Sequence, residues 1–195
     1  MKRFFLPAIT AFFGVSCQTS MHEIGAKMNE KAGIGAISSS TSKFDGAKEL
    51  RMSPAMVSRD GGVRASNIHI AAAYTPEMGD LMILELVYQE AIHITDETAP
   101  GKFHNITGLD INIDGRKLSF KPINQTKFDN AYVSSNGFAI PITTVRQMIE
   151  ARDCRIRMTT IHGHETALFH VETAKMGQTF VKLPLRQFIA KIDSL

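Results

Sequence analysis

The chain has no tryptophan and two cysteines, Cys17 and Cys154, in 195 residues. Two thiols allow one disulfide at most, which excludes the disulfide-stapled scaffolds of small secreted domains. Neither charge sign prevails: 22 Lys and Arg face 19 Asp and Glu, for a formal net charge of +3. That balance excludes the basic footprint of a nucleic-acid-binding surface. No apolar run reaches the roughly 20 residues that a membrane-spanning helix needs; Phe4 to Val15 covers twelve. Motifs are lacking as well. There is no G-x-S-x-G nucleophile elbow, and Asp60-Gly61-Gly62 has no helix behind it to cradle a phosphate. No internal repeat is present. What the chain does have is an apolar fraction of 44 %, enough for the core of one domain.

The first seventeen residues carry an address. Lys2 and Arg3 form a positive start, Phe4 to Val15 is uncharged and mostly apolar, and small residues follow up to Ser16 and Cys17. This is the layout of an export signal. The segment Gly14-Val15-Ser16-Cys17 resembles the signal of bacterial lipoproteins, which is cut just before a cysteine that carries the lipid. Gly14 stands where that family usually has Leu. An ordinary signal peptidase would accept Gly14 and Ser16 and cut the same bond. The resemblance implies a signal peptide over residues 1–16 and acyl chains such as palmitate on Cys17. Each buried methylene would add ~0.8 kcal/mol of membrane affinity. Gln18, in place of Asp after the cysteine, implies sorting to the periplasmic face of the outer membrane in a cell with two membranes.

Removing residues 1–16 takes Lys2 and Arg3 with it and lowers the net charge to +1. Residues 17–43, with scattered apolar positions and a Ser/Thr run at the end, are expected to be lipid anchor and flexible tether. A coil of that length spans ~25–30 Å. The folded domain is expected from Phe44 to Leu195.

The strongest structural signal is Leu109 to Phe120, where Asp114-Gly115 separates two alternating runs. A type I′ turn needs positive φ at both central positions, which this pair provides. Pairing Ile113 with Arg116 places Leu109, Ile111, Ile113, Leu118 and Phe120 on one face. A second hairpin is predicted over Asp153–Glu172 around His162-Gly163, with Ile161 opposite His164. Cys154, Ile156, Met158, Ala167, Phe169 and Val171 then share an apolar face, making Cys154 a core side chain. Further strands are expected at Lys48–Val57 and Ser66–Tyr74. Asp80–Ile94 fits either a long bulged strand, which its Ile, Val and Tyr content favours, or a helix striped by Leu81, Leu84, Tyr88 and Ile92. Ser134-Ser135-Asn136-Gly137 reads as a turn feeding Phe138–Ile140. Helices are expected at about 141–151 and 184–192, each opened by a proline suited to a first turn. The fold class is mainly β, an antiparallel sandwich or half-barrel with two short helices.

Candidate chemistry is sparse. His162 and His164 at the second hairpin tip could converge, but a zinc site normally needs three or four protein ligands, so no metal site is complete. No cofactor is implied and no catalytic residue stands out. Arg155 and Arg157 point outward together and suit phosphate or carboxylate groups of a glycan, lipid head or peptide. The predicted register also puts His170 across from Arg155 and Asp153 opposite Glu172, so a neutralising charge ladder is the simpler account. The resulting expectation is a non-enzymatic, lipid-anchored envelope protein binding a partner protein or cell-wall component. The alternative is an envelope enzyme or small-ligand or metal-binding protein built on His162 and His164.

Overall fold

Alternating apolar residues become strands wherever one face can be buried. A computed structural model describes residues 33–43, 46–59, 65–89, 104–130, 133–171 and 181–195. The export segment with Cys17, Phe44, the Asp60-Gly61-Gly62 break, residues 90–94 and Glu172 lie outside them. The strands are β1 (Ile37–Thr41), β2 (Lys48–Arg59), β3 (Ala65–Tyr74), β4 (Leu81–Gln89), β5 (Ile106–Ile113), β6 (Arg116–Phe120), β7 (Lys127–Asn130), β8 (Val133–Pro141), β9 (Asp153–Thr160) and β10 (Gly163–Val171). Two helices interrupt them, α1 (Ile142–Glu150) and α2 (Lys182–Ile192).

Every pairing is antiparallel. Six strands in the order β1-β2-β3-β4-β8-β7 form a curled half-barrel, and β6-β5-β9-β10 form a second sheet. β2 joins them: β1 pairs with Lys48–Met52, and β10 pairs with Ser58 and Arg59 farther along the same edge. β2 keeps its inward face through an irregularity between Met52 and Ala55. Leu50 and Met52 are buried before it, Ala55 and Val57 after it. Pro54 sits at this break, where the ladder needs no N–H from it.

The inner faces meet in one apolar core. Ile68, Ile70, Leu84, Leu86 and Phe138 come from the half-barrel, and Leu109, Ile111, Ile156, Met158 and Phe169 from the second sheet. α1 packs against β8 and β10, α2 against β2, and the helices against each other. α1 buries Val145, Met148 and Ile149; α2 buries Leu185, Phe188, Ile189 and Ile192. α2 starts two residues before Pro184, because a proline is tolerated anywhere in a first turn whose N–H groups lack intrahelical partners. Arg146 pairs with Asp193 and Arg186 with Glu150 across the two helices. These exposed pairs contribute at most ~1 kcal/mol each.

The first hairpin has the predicted register, Ile113 opposite Arg116 through Leu109 opposite Phe120. Asp114 and Gly115 have φ of 48° and 91°. The second hairpin differs. Gly163 pairs with Thr160, so the turn is Ile161-His162, and Ala167 lies opposite Ile156 rather than Met158. This is a slip of two residues, which preserves the side-chain faces because the strand period is two. Cys154, Ile156, Met158, Ala167 and Phe169 are accordingly buried as expected. A bulge after Leu168 then sets His170 against Cys154 and Val171 against Asp153, which removes the expected His170–Arg155 and Glu172–Asp153 pairs.

Two further expectations change. Ile37–Thr41, inside the stretch expected to be tether, is strand β1, so the folded part begins before Phe44. Ser134–Gly137 is not a turn but the first half of β8, with Ser134, Ser135 and Asn136 buried. Polarity misleads most clearly at Asn136, whose side chain is satisfied internally. The Asn136 amide donates to the Ile106 and Asn124 carbonyls, both at 3.1 Å, and its Oδ1 accepts from the Gly137 N–H at 2.9 Å.

Candidate functional site

The two ends of the half-barrel differ in kind. At one end β8 runs into α1 and the helices cover the core. At the other, Gln89 pairs with Val133, Tyr88 with Ser134, and Ile106 with Thr160, so β4, β8, β5 and the β9–β10 tip all reach the same rim. Among the described residues, this rim collects side chains that sequence spacing could not bring together.

Its centre is a stack of rings. The Tyr88 and His104 rings lie 4.4 Å apart, tilted by 49°, and His162 meets His104 edge-on at 5.6 Å. Tyr88 continues the inward face of β4 and is buried. His104 precedes β5, and His162 is placed by the hairpin tip. Two backbone contacts hold that tip. The Ile161 N–H donates to the Asn105 carbonyl at 3.3 Å, and the His162 N–H donates to Thr160 Oγ1 at 3.1 Å. Around the stack, Asn67 Nδ2 donates to the Tyr88 hydroxyl and the Asn67 N–H donates to Glu165 Oε1, both at 3.3 Å. Ile161, beside His162 in the turn, is 64 % exposed; Phe128, in the same row as Ser134 and Tyr88, is also exposed. Aromatic rings, an exposed aliphatic side chain and a few oriented polar groups are the composition of a protein contact surface.

The sequence-predicted residues fall into two places. His162 belongs to the rim, with His104 rather than His164 as its ring neighbour. His164, opposite Thr159, is exposed. Among the described residues no three His, Cys, Asp or Glu side chains gather into a group able to hold a metal ion. Arg155 and Arg157 lie on the outer face of the second sheet. The Arg155 guanidinium binds the Asp153 carboxylate on its own strand at 3.0 Å, and Arg157 stands opposite Asp110. Asp110 also accepts from the Ser119 hydroxyl at 2.6 Å and pairs with Lys117 at 3.0 Å. The Ser119 hydrogen bond above all, with the Lys117 charge, holds the Asp110 carboxyl below its usual value. This face is a ladder of compensated charges.

Burial shifts two further titratable groups, Cys154 and the half-buried His69. Burial pushes the Cys154 thiol up to about 12, leaving it protonated and unreactive. Burial also lowers the value of His69, on the outer face of β3. The residues that spacing missed are Tyr88, His104, Asn67 and Glu165. Their only sequence signal was residue type, since the four come from separate stretches of chain joined by the fold.

No family model, curated protein or solved structure matches this chain.

Proposed function

We propose that this chain is a lipoprotein of the bacterial envelope, exported by residues 1–16 and anchored through Cys17. Its β-domain binds a partner protein or envelope component without catalysing a reaction. The observation that carries the binding role is the hairpin tip at this rim: Ile161 and His162 are exposed on a tip that one backbone hydrogen bond holds against Asn105, beside the Tyr88–His104 rings. A pre-positioned tip loses little conformational freedom on docking. The anchor then raises the encounter rate with partners on the same membrane. Localisation on the periplasmic face of the outer membrane follows from the same N-terminal segment.

Two measurements test this. Fatty-acid labelling should mark the wild type and not Cys17→Ser; equal labelling, or none in wild type, ends the anchor reading. A photocrosslinker at position 161, in intact cells, should give a discrete adduct that the same probe at exposed Leu183 of α2 does not. Identical patterns from the two positions would remove the rim as the contact surface.

A second reading, a small-ligand or metal-binding protein, is favoured by the His104–His162 ring contact alone. Metal analysis of the purified full chain decides it: stoichiometric metal that disappears in His162→Ala would replace the non-metal reading.

A further inference from the structure

The half-barrel has an unguarded edge. Among the described residues β1 pairs with β2 along one side only, and Ser38 to Thr41 are exposed. Which backbone groups point outward follows from the ladder. The Ser42 N–H donates to the Ala47 carbonyl and the Ser53 N–H to the Ala36 carbonyl, so even-numbered residues of β1 bond to β2. Antiparallel pairs alternate between bonded and non-bonded. The N–H and C=O groups of Ile37, Ser39 and Thr41 therefore point away from the protein. Edges like this are templates for another strand, and native proteins blunt them with charged side chains. The other outermost strands do so: β6 carries Arg116 and Lys117, β7 carries Lys127 and Asp129. β1 reads Ile-Ser-Ser-Ser-Thr and carries none.

We propose that this edge pairs with β1 of a second copy, antiparallel and centred on Ser39. The register is self-complementary. About a two-fold axis at Ser39, Ile37 meets Thr41 and Ser39 meets Ser39, so every outward-pointing residue of one copy meets an outward-pointing residue of the other. Three residues from each chain exchange six hydrogen bonds and the half-barrel sheet continues into its neighbour. No like charges oppose each other; the nearest, Lys43, falls opposite Gly35. Five paired residues bury much less than the ~1,200–2,000 Å² of a stable interface, so the pair is reversible and its population follows concentration. The proposal concerns a strand other than those that form the rim and stands whether or not Cys17 is acylated.

The test uses the full chain carrying Cys17→Ser. Light scattering from about 10 µM to about 1 mM should show the mass rising from one chain toward two. Ser39→Pro removes an outward N–H and no ladder bond, as proline at an edge allows. It should keep the wild-type circular dichroism and stay monomeric throughout. Should it fail to fold, Ser39→Asp brings two carboxylates together at the axis and must abolish the dimer instead. Under mild oxidation Ser39→Cys should cross-link severalfold faster than Lys117→Cys on β6. The proposal is overturned by a wild type that stays monomeric, by a dimer that survives the folded variant, or by equal cross-linking at positions 39 and 117. A monomer whose edge takes up only a foreign extended peptide counts among these failures.

Discussion

The two hairpins of the second sheet reverse the chain by different means. In β5–β6 the reversal is written in the turn itself. Asp114 and Gly115 adopt positive φ, the Gly115 N–H donates to Asn112 Oδ1 at 2.8 Å, and the Asp114 carboxylate accepts from the Arg152 and Asp153 N–H groups at 3.1 and 2.8 Å. In β9–β10 neither turn residue has a positive φ, and hydrogen bonds around the turn hold the reversal. Ile161 is tied to Asn105, and Thr160 Oγ1 receives the His162 N–H and donates to the Gly163 carbonyl. A turn whose residues demand a rare backbone conformation fixes its own register. A turn of ordinary residues takes the register that its neighbours and the core allow. The second kind is also the one that presents exposed side chains, Ile161 and His162, at the rim.

The largest expected effect lies in the core beneath the second hairpin. Phe169→Ala should cost ~3–5 kcal/mol, the range for truncating a buried Phe, because Phe169 is fully buried. Phe120→Ala, on the half-exposed outer strand β6, should cost clearly less. Urea unfolding of both variants checks this, and equal losses would mean that β6 is as much core as β10. In the same material Cys154 should react slowly with a bulky thiol reagent until denaturant is added.

Next come the turns. Gly115→Val places a β-branched residue at a φ of 91° and should cost about 1–3 kcal/mol. Thr160→Val removes the hydroxyl that organises the second turn and should cost about 0.5–1.5 kcal/mol. A Thr160 loss larger than the Gly115 loss would reverse the contrast between a self-encoded turn and a neighbour-held one.

Smaller still is the pair of tip histidines. His162→Asn with His164→Ala removes one edge-to-face ring contact, and such contacts contribute about 0.5–1.5 kcal/mol. The midpoint should therefore fall less than in Gly163→Val, where φ is 130°. A chelator should leave the wild-type midpoint unchanged. If the histidine variant is the more damaged and chelator reproduces its loss, a metal holds the tip.

The smallest effects are electrostatic and separate the two sheets. In the half-barrel, burial lowers the pKa of His69 in the folded chain, so on acidification the unfolded chain takes up this proton first, near pH ~6.5. Stability should fall as pH drops from about 7 through that value. His69→Gln should flatten the slope. In the second sheet, Asp110 contributes above the ordinary carboxylate value, about pH 4, and loses its contribution as pH falls through its lowered one. Asp110→Asn should flatten only the acid end. Unfolding midpoints across pH 3 to 7, about one unit apart, distinguish the two.

By itself the sequence determined whatever is local and periodic. Alternation marked the strands around Leu50, Ile70, Leu84 and Ile111, and 3.6-residue spacing marked Val145–Ile149 and Leu185–Ile192. The Asp114-Gly115 pair set a register to the residue, because a two-residue hairpin turn needs positive φ at both central positions and this pair tolerates it. The buried face of β9–β10 was legible even though its register was not, since a two-residue slip leaves parity intact. Tertiary structure decided what depends on distant partners. Asn105 moved the second turn to Ile161-His162, and Ile106 and Asn124 made Asn136 a buried strand residue rather than a turn. β2 recruited Ile37–Thr41 into the sheet. The rim was decided there too: Tyr88, His104 and His162 meet because β4, β5 and the β9–β10 tip end at one edge, a coincidence of three-dimensional register that no spacing along the chain encodes.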